Sequence, residues 1–372
     1  MRADGRTGGR AVRAAVVVAA FLSAGPPVRL SAQDTARISE TQTVLATLTE
    51  AYGVSGSEAP VREAVRKLLP AWAQTETDTA GNLWVRVGNG DPVVAVIAHL
   101  DEIGFEVTNI RADGKLELKT RGGFFVSLFE ASPAAVHGDR GDVPGIFLPR
   151  DSAFTQHQPP PLLVDVGAAT RAAVEALGVR VGSTLTNPKQ FVRLAGMRAT
   201  GRSFDDRVGC TALVLALRHL DRSKLRHQVV FIFSVREEIG LEGAGVAAAK
   251  LGTSVRRVHA VDTFVSADSP LELDNFAVAP IGMGPVARAL DNSSITPPAS
   301  LDTLVTLARA RGIKLQVGTT NGGNDGSMFV RYGAVDVAIG WPLRYSHSPA
   351  EVVDLRDVAG LGDMIQAAAE GW

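Results

Sequence analysis

The run Val93-Val-Ala-Val-Ile-Ala98 is apolar at every position. A half-exposed strand alternates apolar and polar side chains. A strand apolar on both faces belongs in the middle of a sheet that is covered on both sides. Gln228-Val-Val-Phe-Ile-Phe-Ser-Val235 reads as a second buried strand, Val258-His-Ala-Val261 as a third and Val335-Asp-Val-Ala-Ile339 as a fourth. Helical spacing occupies the intervals. Leu45, Leu48, Val61, Val65 and Leu68 recur at helical intervals, broken around Gly53-Val-Ser-Gly56. Arg207 to Leu220 places Leu213, Leu217 and Leu220 on one helical face, and Leu301 to Arg311 stops at Gly312. Strands alternating with helices predict an α/β domain built on a mostly parallel sheet.

Residues 111–196 follow another rhythm. Short runs, Lys115-Leu-Glu-Leu-Lys119, Phe124-Phe-Val-Ser-Leu128 and Val143-Pro-Gly-Ile-Phe147, alternate with Gly and Pro. That pattern predicts a small all-β module, with one short helix near Thr170 to Leu177 and a rigid exposed loop at Gln158-Pro-Pro-Pro161. The α/β domain therefore comes in two pieces, 35–110 and 197–372, with the β module inserted between them. A module this small buries little core of its own. Phe124, Phe125, Phe129 and Phe147 are accordingly expected to contribute to an interface between copies of the chain.

Residues 1–32 read as a secretory signal peptide. Arg2, Arg6, Arg10 and Arg13 precede the apolar stretch Ala14 to Leu22, and cleavage is expected after Ala32. Export to the periplasm or the medium follows as an expectation, and the apolar stretch is too short to span a bilayer. Net charge is −1 and no long basic run occurs, so neither nucleic acid nor an anionic membrane is favoured as a partner. Cys210 is the only cysteine, which excludes an intrachain disulfide and a metal site built on several thiolates. Any metal must rest on His, Asp and Glu.

Open α/β sheets gather their functional groups at the carboxyl ends of the strands. Past the first predicted strand lie His99 and Asp101, past the second Glu237 and Glu238, and past the third Asp262. The fourth leads into Ser346-His347-Ser348, and Asp205 and Asp206 open the helix at Arg207. His99 and Asp101, two apart in extended chain, point to one side, so Asp101 can take the second ring N–H of a ligating His99. Phe204-Asp205-Asp206-Arg207 suits either helix capping or a carboxylate bridge between two cations. Arg236-Glu237-Glu238-Ile239-Gly240 sets two repelling carboxylates side by side. One can bind metal while the other moves a proton. Asp205, Glu238, Asp262 and Glu237 would together balance two divalent cations, with His99 and His347 as neutral ligands. Oxygen and imidazole donors suit Zn²⁺, Co²⁺ or Mn²⁺.

The strings His99-Leu-Asp-Glu-Ile-Gly-Phe105, Asp205-Asp-Arg-Val-Gly-Cys210, Glu237-Glu-Ile-Gly-Leu-Glu-Gly-Ala244 and Arg344-Tyr-Ser-His-Ser348 occur in this order. With Val164-Asp-Val-Gly167 and Gly178-Val-Arg-Val-Gly182, they resemble the M42 metallo-aminopeptidases, the glutamyl and tetrahedral aminopeptidase group, over about residues 40–368. The resemblance implies a three-layer α/β/α zinc-peptidase-like domain carrying a small PDZ-like β-barrel that serves assembly and access. It implies that Asp205 bridges two metals, that His99 and Asp262 complete one site, and that Glu238 and His347 complete the other. It makes Glu237 the general base and Asp101 the support of His99. It also implies a homo-oligomer that cuts peptides with a free N-terminus. Gly322-Gly-Asn-Asp325 departs from the family's Gly-Gly-Thr-Asp string at Asn324, and Phe204 is bulky for its place. The family is largely cytosolic, at odds with the signal peptide read above. The alternative reading is a related two-metal deacylase acting on acylated amino acids. A glycosidase, which needs only two carboxylates flanking the sugar bond, has no use for such a ligand set.

Overall fold

The computed structural model describes residues 31–150, 160–269 and 277–372. The basic and apolar stretch before Ser31 and the start of the Gln158–Pro161 loop lie outside the described residues. The helix Ala32–Glu50 opens on a capping box: the Ser31 hydroxyl accepts from the Asp34 N–H, and the Asp34 carboxylate accepts from the Ser31 N–H. The cleavage point expected after Ala32 therefore falls in the first turn of a capped helix. Glu58 precedes a second helix, Ala59–Leu68, so the expected break at Gly53–Gly56 is present.

A six-stranded sheet runs in the order Thr75–Thr77, Leu83–Val87, Val229–Ser234, Val93–His99, Val255–Ala260, Val335–Asp336. The first two pairings are antiparallel and the last three parallel. Val93–His99 is central and wholly buried, as the unbroken apolar run Val93–Ala98 requires. Its side chains divide between two cores. Val96 and Ala98 join Phe231 and Phe233 beneath the helices Ala32–Glu50, Phe204–His219 and Leu355–Gly371. Val93, Ala95 and Ile97 join Val230, Ile232, Ala244 and Phe329 on the opposite face. Burying an apolar side chain contributes roughly 1.5–3 kcal/mol. A polar substitution at either set would disrupt one core.

The predicted strand Val335–Ile339 is divided. Val335–Asp336 extends the large sheet, whereas Ile339–Gly340 pairs antiparallel with Val286–Leu290 in a separate three-stranded sheet. The chain changes sheets at Val337 and Ala338, both buried. Apolar content marks burial but not which sheet a residue joins.

Six strands close a barrel in the order Gly104–Ile110, Leu116–Arg121, Leu163–Asp165, Gly141–Phe147, Pro133–Gly138, Thr184–Thr186. Its first strand follows His99 after only four residues, so the barrel is rooted directly at the end of the central strand. The helix Arg171–Ala176 lies beside it, capped by the Thr170 hydroxyl. Phe124–Leu128 is not a strand; Val126–Phe129 forms a single 3₁₀ turn after Gly122, whose φ is +94°. The aromatics expected at an interface chiefly fill the barrel. Phe129 and Phe147 are fully buried, and Phe124 packs edge-on to Phe105 at 5.1 Å between ring centroids. Closure gives even a small barrel an interior to fill with side chains. Phe125 alone of the four stands out, 79% exposed.

Candidate metal centre

Three parallel strands end together. His99 closes the central strand, Glu237 and Glu238 follow Ser234, and Asp262 follows Ala260. The strands on either side of the central one are reached by crossovers, so their carboxyl ends border the kind of crevice where such sheets bind ligands. Asp205 enters from the start of the helix Phe204–His219, where Asp205 and Asp206 still lack helical dihedrals and are joined by a cis peptide. His347 enters from the loop before the strand Glu351–Asp354.

All five sequence-predicted ligand candidates meet. His99 Nε2 lies 3.2 Å from Asp205 Oδ1, and His347 Nε2 lies 3.2 Å from Asp205 Oδ2 and 3.3 Å from Glu238 Oε1. One donor atom each from His99, Asp205 and Asp262 falls within 4.8 Å of the others, and so does one each from Asp205, Glu238 and His347. Asp205 thus faces both clusters, one oxygen toward each imidazole. Glu237 borders them, half-buried, with Glu238, Asp262 and Asp325 close enough to repel its charge.

The crowding of buried acids has electrostatic consequences. Burial pushes the Glu237 carboxyl well above the ordinary carboxylate range, with Asp262, Glu238 and Asp325 adding repulsion. Burial likewise raises Asp262 to about 6 and Asp325 to about 7. For His99, burial works against the charged ring, but the neighbouring Asp101 and Asp205 outweigh it and raise its pKa well above 6.5. Glu238 Oε1 is buried without a hydrogen bond, since its contact with His347 lacks bonding geometry, and Asp325 Oδ1 is also unpartnered. Buried carboxylates are normally paired or coordinate metals. Two imidazoles and three carboxylates, no thiolate, and an orphaned buried oxygen all fit divalent cations at these two clusters.

The supporting bonds differ in part from expectation. His99 Nδ1 lies 3.1 Å from the Asp101 carbonyl and 3.4 Å from its carboxylate. The carboxylate's shorter bonds run elsewhere. It accepts the Glu237 N–H at 2.9 Å, the Glu238 N–H at 3.2 Å and the Ser55 hydroxyl at 2.6 Å. The two-residue spacing indicated a shared side but not that the Glu237–Glu238 backbone would come within reach. Asp206 turns away from the clusters and accepts the His99 N–H at 2.9 Å and the Gly209 N–H at 2.8 Å.

Several contributors are not legible in the sequence. Glu351 accepts the Phe204 N–H at 2.6 Å and the His347 N–H at 3.0 Å, tying the segments that carry Asp205 and His347 together. Its position four residues after His347 is the only signal. Arg288 is buried, with Nη1 3.5 Å from Asp262 and Nε 3.2 Å from Asp291. Ser203, Arg236 and His347 have φ of 66°, 55° and 57°. Such residues cost about 1–3 kcal/mol each and gather at functional sites.

A cavity of about 560 Å³ opens over the clusters, lined also by Phe124, Phe125, Leu241 and Val265. It falls in the range of small-ligand sites.

The family model for M42 glutamyl aminopeptidase matches residues 81–364. The putative aminopeptidase FrvX of Escherichia coli is 29% identical, over 87% of this chain and 93% of its own. The lysyl aminopeptidase of Pyrococcus furiosus is 30% identical, over 86% of this chain and 94% of its own. Among solved structures, the Pyrococcus horikoshii TET1 peptidase superposes with a TM-score of 0.81 at 32% identity. That match covers 89% of this chain and all of the other, which is described as assembling into a tetrahedron or a large octahedral shell. These matches correct the expected signal peptide and secretion. The relatives are FrvX-type and TET-type peptidases, and none supports an exported enzyme.

Proposed function

The chain is an aminopeptidase of the M42 glutamyl aminopeptidase family, and on that premise we propose that it removes N-terminal residues from peptides with two divalent cations and Glu237 as general base. The observation that carries this reading is the pair of donor clusters sharing Asp205, with Glu237 beside both. His99, Asp205 and Asp262 would hold one cation, and Asp205, Glu238 and His347 the other. Zn²⁺, Co²⁺ and Mn²⁺ all suit these donors. When bound, the cations polarise the scissile carbonyl and acidify a water.

The remaining work falls to the protein. Glu237 takes a proton from the attacking water and passes it to the departing amine. A carboxylate standing beside both clusters is placed to serve first as base and then as acid. Asp101 sets the position of Glu237 through the Glu237 N–H. Glu351 holds the Asp205 and His347 segments together. The acids around the clusters attract a free α-amine, and the apolar side chains of the cavity offer contact to the residue removed.

We read the covered sheet as the three-layer α/β/α zinc-peptidase-like domain, in pieces 35–110 and 197–372, and the barrel between them as the PDZ-like module for assembly and access. Assembly of TET1 supports a homo-oligomer for this chain too. Enclosure in such a shell would admit peptides and exclude folded proteins.

The test is a substrate panel: leucyl-, glutamyl- and lysyl-p-nitroanilide, the same compounds N-acetylated, and free N-acetyl amino acids. The proposal expects hydrolysis only where the α-amine is free. Release of acetate from the acylated amino acids, without cleavage of the anilides, would establish the deacylase reading instead.

A further inference from the structure

A ligating histidine needs its second ring nitrogen engaged, because that bond selects the tautomer and aims the ring. The two histidines of the centre obtain it from different places. His99 Nδ1 faces the carbonyl of Asp101, two residues away on the same strand end. His347 Nδ1 donates to the Gly123 carbonyl at 2.6 Å, across 224 residues of sequence. Gly123 belongs to the loop after the barrel strand Leu116–Arg121.

That loop is fixed on both sides. Toward the barrel, the Phe124 ring sits 5.1 Å from Phe105 and 4.9 Å from Phe129, centroid to centroid. Toward the centre, Gly122 leaves no room for a side chain beside Ile103 and Glu238. A Cβ on Gly122 would stand 2.6 Å from Ile103 Cγ2 and 3.3 Å from Glu238 Oε2, and its φ of +94° disfavours any side chain.

We propose that the barrel loop Gly122–Phe125 is a positioning element of the metal centre, its Gly123 carbonyl holding His347 in the tautomer whose Nε2 faces Asp205 and Glu238. This rests on the reading of His347 as a ligand. The consequence is an asymmetry between the two cation sites. The His99–Asp262 site is oriented within the sheet domain, whereas the Glu238–His347 site depends on how the barrel is seated.

The test is calorimetric titration of the full chain, stripped by chelation, with Zn²⁺. His347→Ala and Asp262→Asn identify which binding step belongs to which site. Gly122→Ala displaces the loop at the centre. Phe124→Ala loosens its anchor without reaching the ligands. Gly167→Ala is the control, a barrel glycine with φ +79° and open space around its Cβ. Outer-shell partners of metal ligands are typically worth 10–100-fold in affinity. Gly122→Ala should therefore weaken the His347 step by roughly 10–100-fold, and Phe124→Ala should do so in the same direction, while the Asp262 step stays within about threefold. A merely structural defect would move both steps together. Equal weakening of both steps, or values matching Gly167→Ala, would overturn the proposal. If Gly122→Ala does not fold, Phe124→Ala alone decides between the same outcomes. If His347→Ala leaves both steps intact, the ligand assignment itself is wrong, whatever the loop variants do.

Discussion

Replacing Asp101 by Asn separates two accounts of what that residue does. The carboxylate receives only donors: the Glu237 N–H and, more distantly, His99 Nδ1 on Oδ1, and the Glu238 N–H and Ser55 hydroxyl on Oδ2. Asn offers one acceptor oxygen and one NH₂ group. If the NH₂ takes the Oδ1 place, it faces the Glu237 N–H; in the other orientation it faces the Glu238 N–H. The Ser55 hydroxyl can rotate to accept, but a backbone N–H cannot. One buried donor is orphaned either way, at a cost of about 1–3 kcal/mol, which the 237–238 segment relieves by moving. A shift of about 1 Å in a catalytic group is worth up to about 10²-fold, and about 1.4 kcal/mol is a factor of ten. We expect Asp101→Asn to lower kcat by roughly 10–100-fold on an aminoacyl p-nitroanilide, with KM and metal content close to wild type. Steady-state kinetics with elemental analysis of the same preparation gives both quantities. A kcat within twofold of wild type would refute the reasoning. A loss of activity that tracks loss of metal would return Asp101 to the role that its spacing from His99 suggests.

Glu237→Gln should keep its metal and lose about 10²–10⁴-fold in kcat, the usual worth of a general base, whereas Glu238→Gln should lose metal; equal metal content in the two variants would undo the division of roles. Glu102 is buried and receives Lys189, Arg202, Arg207 and the Gly53 N–H. Glu102→Gln leaves those cations without their carboxylate and should cost about 3–5 kcal/mol in denaturant unfolding at pH 7. Burial opposes the Glu102 charge, but the three cations outweigh it and hold its pKa well below the ordinary value. Its stabilisation is thus complete above the unfolded value of about 4.3 and fades as pH falls toward the folded value. The gap between wild type and variant should narrow below about pH 4, and a gap that widened there would contradict the sign. Phe125, exposed on the cavity wall, should matter for binding more than for chemistry. Phe125→Ala should raise KM severalfold for leucyl substrates with kcat nearly unchanged, and an unaltered KM would exclude it from substrate contact.

Much of the sheet and of the candidate donor set is legible in the amino-acid sequence. Val93–His99 and Val229–Ser234 are buried on both faces, as the unbroken apolar runs Val93–Ala98 and Val229–Phe233 require. Because parallel sheets collect function at their carboxyl ends, His99, Glu237, Glu238 and Asp262 stand out just past each strand. What stays hidden depends on distance in space rather than on local pattern. No spacing rule connects Gly123 to His347, or Glu351 to the Phe204 N–H. Phe124–Leu128 has strand-like composition, yet the Gly122 turn and the packing of Phe124 and Phe129 into the barrel curl it into a 3₁₀ turn. The helix Leu355–Gly371 is not among the predicted elements, although its Leu361, Met364, Ile365 and Ala368 are buried. The Arg-rich start carries a signal-peptide pattern, and neither the capping box at Ser31–Asp34 nor the relatives support it.

The proposed reaction requires two cations, held by donor clusters sharing Asp205. The direct measurement is to strip the enzyme exhaustively with chelator and follow aminoacyl p-nitroanilide hydrolysis during back-titration with Zn²⁺, Co²⁺ or Mn²⁺, counting bound metal per chain. The apoenzyme should be inactive, and activity should reach its plateau only as the second equivalent binds. Full activity in protein shown by elemental analysis to be metal-free, or a plateau at one equivalent, would contradict it.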